Sequence, residues 1–117
     1  MKGRFGDSAR LNHILDAITE IKDYIKDVNF GEFEANSMIY NACIKQLEII
    51  GEAATHLSES YKSNYPEISW KEIIALRNVL IHEYFGVDIK IIWDIIKNDL
   101  PVLEQQVYLS IKTNNQS

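Results

Sequence analysis

The sequence predicts an all-α protein that folds as an up-and-down bundle of four helices. Four stretches place apolar residues at steps of three and four, which is the spacing of one helix face. Capping residues and helix breakers separate these stretches, and no segment alternates apolar and polar residues as a half-exposed strand does. Amphipathic helices joined by short connections bury their apolar faces against one another, so the pattern favours a bundle.

The first two predicted helices make up the N-terminal half of the chain. The first runs from Asp7 to about Asn29, and a break at 30–32 separates it from a longer helix between Glu34 and Tyr61. Gly51 lies in this second helix, where the missing side chain would let another helix approach closely. Each helix carries one apolar stripe: Leu11, Ile14, Leu15, Ile18, Ile21, Ile25 and Val28 in the first, and Ile39, Cys43, Leu47, Ile50, Ala54, Leu57 and Tyr61 in the second.

The third predicted helix, from Trp70 to about Phe85, has the clearest start signal. Ser69 and Glu72 have the spacing of a capping box, in which each side chain accepts a hydrogen bond from a free backbone donor. Gly86 suits the C-terminal cap because it adopts a left-handed conformation without steric cost. We therefore expect this helix to be short and well defined.

The fourth predicted helix starts after Asp88, a suitable N-cap, and its apolar face ends at Ile111. Pro101 lies in its middle and removes one backbone donor, which predicts a kinked C-terminal helix. The polar residues 113–117 predict a frayed tail. At 117 residues, the whole chain 1–117 is expected to form one domain.

Composition and charge exclude several classes of function. Cys43 is the single cysteine and there is no cysteine and histidine cluster with metal-ligand spacing, so we expect no disulfide within the chain, no metal site and a cytoplasmic location. No apolar stretch is long enough to predict a membrane span. A net charge of -5 argues against broad binding of nucleic acid unless a local patch is positive. The candidates for such a patch are Lys62, Lys71, Arg77, Lys90 and Lys97.

One group of polar residues on the third predicted helix suggests a catalytic site. Arg77 falls in the middle of an apolar arc formed by Ile73, Ile74, Leu76, Leu80, Ile81 and Tyr84, where an isolated charge would be costly to bury. It must therefore pair with a carboxylate, such as Glu48 or Glu52, or reach a shared interface. Asn78 and His82 lie on the adjacent row of the helix. Because five residues correspond to a rotation of roughly 140°, contact between Arg77 and His82 requires either the long reach of the arginine or a second copy of the helix, which a two-fold dimer would supply.

These residue types suit the cleavage of RNA without a metal, in which the ribose 2′-hydroxyl attacks the adjacent phosphate. An imidazole exchanges protons near neutral pH, and a guanidinium stabilises charge on the phosphate in the transition state. His82 lies in the last turn of its helix, where the helix dipole favours the imidazolium. This position suits a general acid better than a base.

The segment from Arg77 to Tyr84, RNVLIHEY, resembles the R-x4-H-x-Y motif of HepT-like toxins, a branch of the HEPN superfamily. The flanking sequences IIGEAA at 49–54, PEISW at 66–70 and DLP at 99–101 are similar as well. The resemblance implies a HEPN fold and a homodimer whose cleft cuts RNA with no cofactor, with Arg77 and His82 as the catalytic pair. It also implies a minimal nucleotidyltransferase antitoxin that transfers AMP to Tyr84 and blocks the site.

Each functional interpretation has a plain structural alternative. Arg77 could form a structural ion pair, His82 could be a surface residue, and Tyr84 could be part of the core. Asn78 supports the site or has no role, while Glu52, His13 and His56 are interpreted as exposed residues without a function. At the level of the protein, the alternatives are a non-catalytic module that binds a nucleotide or a nucleotidyltransferase, and an antitoxin that restrains a neighbouring protein.

Overall fold

A computed structural model describes residues 2–82 and 87–116, with the side chains of 6–82 and 87–115. Every regular element in these ranges is helical, which confirms the all-α prediction. Long helices form at all four predicted places, and short helices connect them. The elements are α1 (Lys2–Tyr24), α2 (Phe30–Ala35), α3 (Ser37–Thr55), α4 (Glu59–Asn64), α5 (Trp70–His82), α6 (Ile89–Asp94), a π-helical turn (Ile95–Asp99) and α7 (Leu100–Gln116).

Helix α3 is the centre of the bundle. It packs along α1 on one side and along α5 on the other, while α7 contacts α1 and the short α2 lies between α3 and α6. The core combines apolar residues from each helix, as the periodicity predicted. Its most deeply buried members include Ile14, Ile18 and Ile21 of α1, Phe33 of α2, Cys43 and Ala54 of α3, Leu80 of α5, Ile92 of α6 and Val107 of α7.

The second predicted helix, 34–61, is interrupted twice, and the expectation of one continuous helix was wrong. Asn29 begins α2 with a capping box in which its side chain and that of Glu32 each accept a backbone hydrogen bond. Asn36 then caps α3 by accepting from the backbone N–H of Ile39. Ser58 caps α4 in the same way. At each interruption, a short polar side chain accepts a hydrogen bond from the first turn of the next helix.

The starts of the last long helices agree with the sequence. Helix α5 begins at Trp70, and Asp88 caps α6 by accepting from the backbone N–H of Lys90. Residues 83–85, predicted as the last turn of α5, and the predicted cap Gly86 lie outside the described residues. Trp70 and Trp93 are both buried, as expected for core anchors.

The C-terminal helix is distorted just before Pro101, as the proline predicted. The distortion is a π-helical turn over Ile95–Asp99, one turn ahead of the proline. Because proline has no N–H and its ring crowds the carbonyl four residues earlier, the wider turn relieves a clash that a regular α-helix would keep. Helix α7 then continues to Gln116, so residues 113–116 are helical where the sequence predicted fraying.

The core contains two sets of buried polar groups, the Cys43 thiol and the hydroxyls of Tyr61 and Ser110. The Cys43 thiol is completely buried, and burial raises its pKa to about 12. The Tyr61 hydroxyl contacts the buried Ser110 hydroxyl at 2.6 Å, and Ser110 donates to the carbonyl of Val107.

No helix in the described part of the chain is long and apolar enough to cross a membrane.

Candidate active site

The site begins where α5 crosses α3 at Gly51. A Cβ atom built on Gly51 would overlap the Cβ of Arg77, and it would lie 2.9 Å from the Cγ of that arginine. The close approach expected of this glycine is therefore confirmed, and its partner is the arginine of the motif. Because Gly51 has no side chain, Arg77 can lie directly against α3 at this residue.

Arg77 is held at its guanidinium by two side chains. One terminal nitrogen, Nη2, lies 2.6 Å from Oε2 of Glu52, and the other, Nη1, donates to Oδ1 of Asn78 at 3.0 Å. Its Nε atom is buried and has no acceptor among the residues that the structure describes. The Arg77 side chain remains 29% exposed, and its stem packs against Gly51.

Glu52 was expected to be plainly exposed, and its side chain is indeed 45% exposed, but it contacts two other side chains. Its two carboxylate oxygens face different partners, with Oε2 on Arg77 and Oε1 2.9 Å from Nε2 of His56. The hydrogen bond from His56 and the positive charge of Arg77 lower the pKa of Glu52. The carboxylate is thus ionised at neutral pH and links the two side chains.

His56, interpreted from the sequence as a surface residue without a role, belongs to this cluster. It lies one helical turn after Glu52 on α3, and its side chain is 49% exposed. The sequence named Glu52 as one of two carboxylates that could pair with Arg77, and this pairing is confirmed. A helical wheel of α3 places His56 away from the apolar stripe, which is why its part in the cluster was missed. The available signal was Gly51, because a helix that approaches closely at residue 51 must pass beside residue 52.

His82 lies at the C-terminal end of the described part of α5 and is exposed. Within the described residues, no hydrogen bond joins it to Arg77. Val79 and Ile81 beside it are 47% and 42% exposed, so Ile81 does not join the core as its place on the apolar arc predicted. Tyr84, the last residue of the motif, lies outside the described residues.

Three of the five cations that the sequence suggested for a positive patch, Lys62, Lys90 and Arg77, are paired with carboxylates. Lys62 pairs with Glu59 at 3.4 Å and Lys90 with Asp94 at 3.1 Å, while the amine of Lys97 lies 5.4 Å from the ring centroid of Trp93. Arg77 is paired with Glu52, which links it to the exposed His56. Its planar guanidinium has further N–H donors that suit a phosphate.

A groove of about 380 Å³ separates the first half of α5 from the π-helical turn and α7. Its lining combines apolar side chains with acidic Glu72 and Asp99. Carboxylates repel a phosphodiester backbone, so this groove does not suit RNA. Among the side chains that the structure describes, no group of three or more His, Cys, Asp and Glu could hold a metal ion.

Comparison with known proteins agrees with the motif. The family model described as ribonuclease HepT-like matches residues 14–109, which include all of α3 and α5. The chain belongs to the HepT-like ribonuclease family. No solved structure matches the chain significantly.

Several relatives of this HepT-like chain are archaeal proteins. A candidate RNase of Methanocaldococcus jannaschii is 40% identical over 99 residues, which cover 85% of this chain and 91% of the relative. The probable ribonuclease HepT of Thermococcus cleftensis is 38% identical over 94 residues, 80% of this chain and 86% of its own. A second M. jannaschii protein, named as a gamma-glutamylcyclotransferase and candidate RNase, is 39% identical over 97 residues, which are 83% of this chain and 44% of that protein.

Replacing Gly51 of this HepT-like protein by alanine is expected to lower the free energy of unfolding by about 3 kcal/mol, because overpacking forces α3 and α5 apart. Urea unfolding followed by circular dichroism measures the change. Gly31→Ala is the matched control: its new Cβ would meet Asn29 Oδ1 at an ordinary 3.4 Å, and alanine is the better helix former. Equal stability of the Gly51→Ala and wild-type proteins would contradict the close approach.

Proposed function

We propose that this protein is the toxin of a toxin–antitoxin pair, a metal-independent endoribonuclease that cuts RNA with Arg77 and His82. The observation that carries the proposal is the preorganised guanidinium of Arg77, held by Glu52 and Asn78 on the same helix as the exposed imidazole of His82. A purely structural ion pair would explain the contact with Glu52. It would not explain why the arginine and an exposed histidine have the spacing of the ribonuclease motif.

The proposed chemistry uses the substrate's own nucleophile. The ribose 2′-hydroxyl attacks the adjacent phosphorus, and charge builds up on the phosphate oxygens, where a fixed guanidinium stabilises it most strongly. The bond to the 5′-oxygen breaks as the imidazolium of His82 gives that oxygen a proton. The products are a 2′,3′-cyclic phosphate and a free 5′-hydroxyl, so DNA, which lacks the nucleophile, is not a substrate.

The proposed enzyme is a homodimer in which two α5 helices face each other. The exposed Val79 and Ile81 flank His82, and a two-fold partner would cover these apolar side chains. The rotation of roughly 140° between Arg77 and His82 separates them on one helix. Pairing with a second copy therefore supports a site that takes Arg77 from one protomer and His82 from its partner, with Asn78 fixing the arginine.

Control of the toxin is proposed to act on Tyr84 through a nucleotidyltransferase antitoxin in the cytoplasm. This part of the proposal rests on the resemblance of the motif. AMP on Tyr84 would add a bulky anionic group to the motif that contains Arg77 and His82. Such a group would compete with the RNA phosphate for Arg77, because both carry the same charge.

The test is cleavage of a labelled cellular RNA in excess EDTA by protein purified without its partner. The double variant Arg77→Ala/His82→Ala, prepared in the same way, measures contaminating nuclease. We expect the wild-type protein to cut RNA at least tenfold faster than this blank, with and without the chelator. A mass spectrum of the same preparation reports the state of Tyr84. Lack of cleavage by protein with unmodified Tyr84 would favour the non-catalytic module that binds a nucleotide or a nucleotidyltransferase.

A further inference from the structure

The proposed reaction needs a group that accepts the proton of the 2′-hydroxyl, and the motif does not provide one. Arginine remains protonated in proteins, and the proposed reaction already uses His82 as the acid that protonates the leaving oxygen. One unassigned imidazole on α3, that of His56, is linked to Arg77 by a single shared carboxylate. One carboxylate therefore separates the imidazole from the guanidinium.

We propose that His56, oriented by Glu52, is the general base that accepts the proton of the RNA 2′-hydroxyl. The inference rests on the proposed ribonuclease function and extends the site from α5 onto α3. Glu52 is then a positioning residue for both partners, because one of its oxygens holds His56 and the other holds Arg77. A carboxylate that orients an imidazole is a recurrent feature of proton-transfer sites.

The protonation pattern follows from the chemistry of the contact. The carboxylate of Glu52 is ionised because its pKa is lowered, so it can only accept a hydrogen bond. Nε2 of His56 must therefore carry the proton in this 2.9 Å contact, and in the neutral ring Nδ1 keeps its lone pair. No described residue engages Nδ1, and the side chain is 49% exposed, so a substrate can reach it.

The step balances within the substrate and the two histidines. Nδ1 of His56 takes the proton as the 2′-oxygen forms its bond to phosphorus, while Arg77 stabilises the charged phosphate. The bond from phosphorus to the 5′-oxygen breaks, and the imidazolium of His82 donates a proton to that oxygen. His56 ends protonated and His82 ends neutral, so a proton exchange with water resets the site.

A solvent-exposed pair four residues apart on a helix is common and by itself contributes little to stability. The pair of Glu52 and His56 differs because the same carboxylate also contacts a guanidinium at 2.6 Å on another helix. Glu52 thus joins two side chains of the types that RNA cleavage requires, a base and a phosphate-binding cation, and is itself the carboxylate that orients them. This convergence carries the assignment.

The experiment compares His56→Ala and His82→Ala on two short RNA substrates. One has the natural 5′-oxygen leaving group, and the other has sulfur in its place, which leaves without a proton. We expect each variant to cut the natural substrate about a hundredfold more slowly than wild type. The sulfur substrate should restore the rate of His82→Ala but not that of His56→Ala. Added imidazole should raise the rate of His56→Ala, which a merely structural role would not produce.

His13→Ala is the control, since His13 is an exposed histidine on α1, and it should cut both substrates at the wild-type rate. A wild-type rate for His56→Ala on the natural substrate, or its rescue by sulfur, would overturn the assignment of His56 while leaving the ribonuclease function intact. Failure of free imidazole to restore His56→Ala would also overturn the role as a base. Failure of the wild-type protein to cut either substrate would instead overturn the ribonuclease function and this inference together.

Discussion

Arg77→Ala is expected to lower kcat/KM for RNA cleavage by about a thousandfold, which corresponds to about 4 kcal/mol of transition-state stabilisation. The loss is large because the guanidinium is already held by Glu52 and Asn78 before substrate arrives, so no ordering is required when the phosphate becomes more negative. Steady-state kinetics on a short labelled RNA measures the effect. Most of the loss should appear in kcat, since the charge develops in the transition state.

Arg77→Lys separates the contribution of charge from that of shape. A lysine retains the positive charge but cannot donate in plane to Glu52, Asn78 and a phosphate at once, so we expect it to recover less than a tenth of the lost activity. Lys22→Ala is the matched control, because it removes a positive charge from an ion pair with Glu104 at 3.1 Å between α1 and α7. Activity of Arg77→Ala near that of Lys22→Ala would leave Arg77 with a structural role alone.

The part of the site that the sequence predicted is the part carried by one helix. Arg77, Asn78 and His82 lie on α5 in a fixed spacing, so periodicity alone relates them to one another. Glu52 was named from the sequence only as one of two possible partners of Arg77, and His56 was missed. Their contacts depend on how α5 crosses α3, and a wheel drawn for one helix contains no information about its neighbour. The crossing was signalled by Gly51, whose partner only the structure identifies.

The helix boundaries show the same division between local and tertiary information. Apolar periodicity located the long helices, because burial of one face stabilises each of them. It did not separate α2 from α3, since the change of direction depends on a single capping side chain, Asn36, rather than on a change of pattern. Pro101 predicted a distortion correctly, but the form it took, a π-helical turn over Ile95–Asp99, relieves a clash at the carbonyl one turn earlier.

The second large effect that we expect is the recovery of RNA cleavage in heterodimers, which follows from the proposed division of the site between two protomers. If Arg77 and His82 act across a two-fold axis, a heterodimer of one Arg77→Ala chain and one His82→Ala chain has one site with both changes and one fully intact site. Each parent homodimer has no intact site. Heterodimers isolated with two different tags should therefore regain about half of the wild-type activity, where either parent alone is almost inactive.

The same design assigns His56 to a protomer. Because Glu52 joins His56 and Arg77 within one chain, these two residues belong to the same half-site. A heterodimer of Arg77→Ala with His56→Ala then has a defect in both sites and should stay inactive, while His56→Ala with His82→Ala should regain activity. Restored activity in the first combination, or none in any combination, would contradict the shared site, because residues on the same half cannot complement each other.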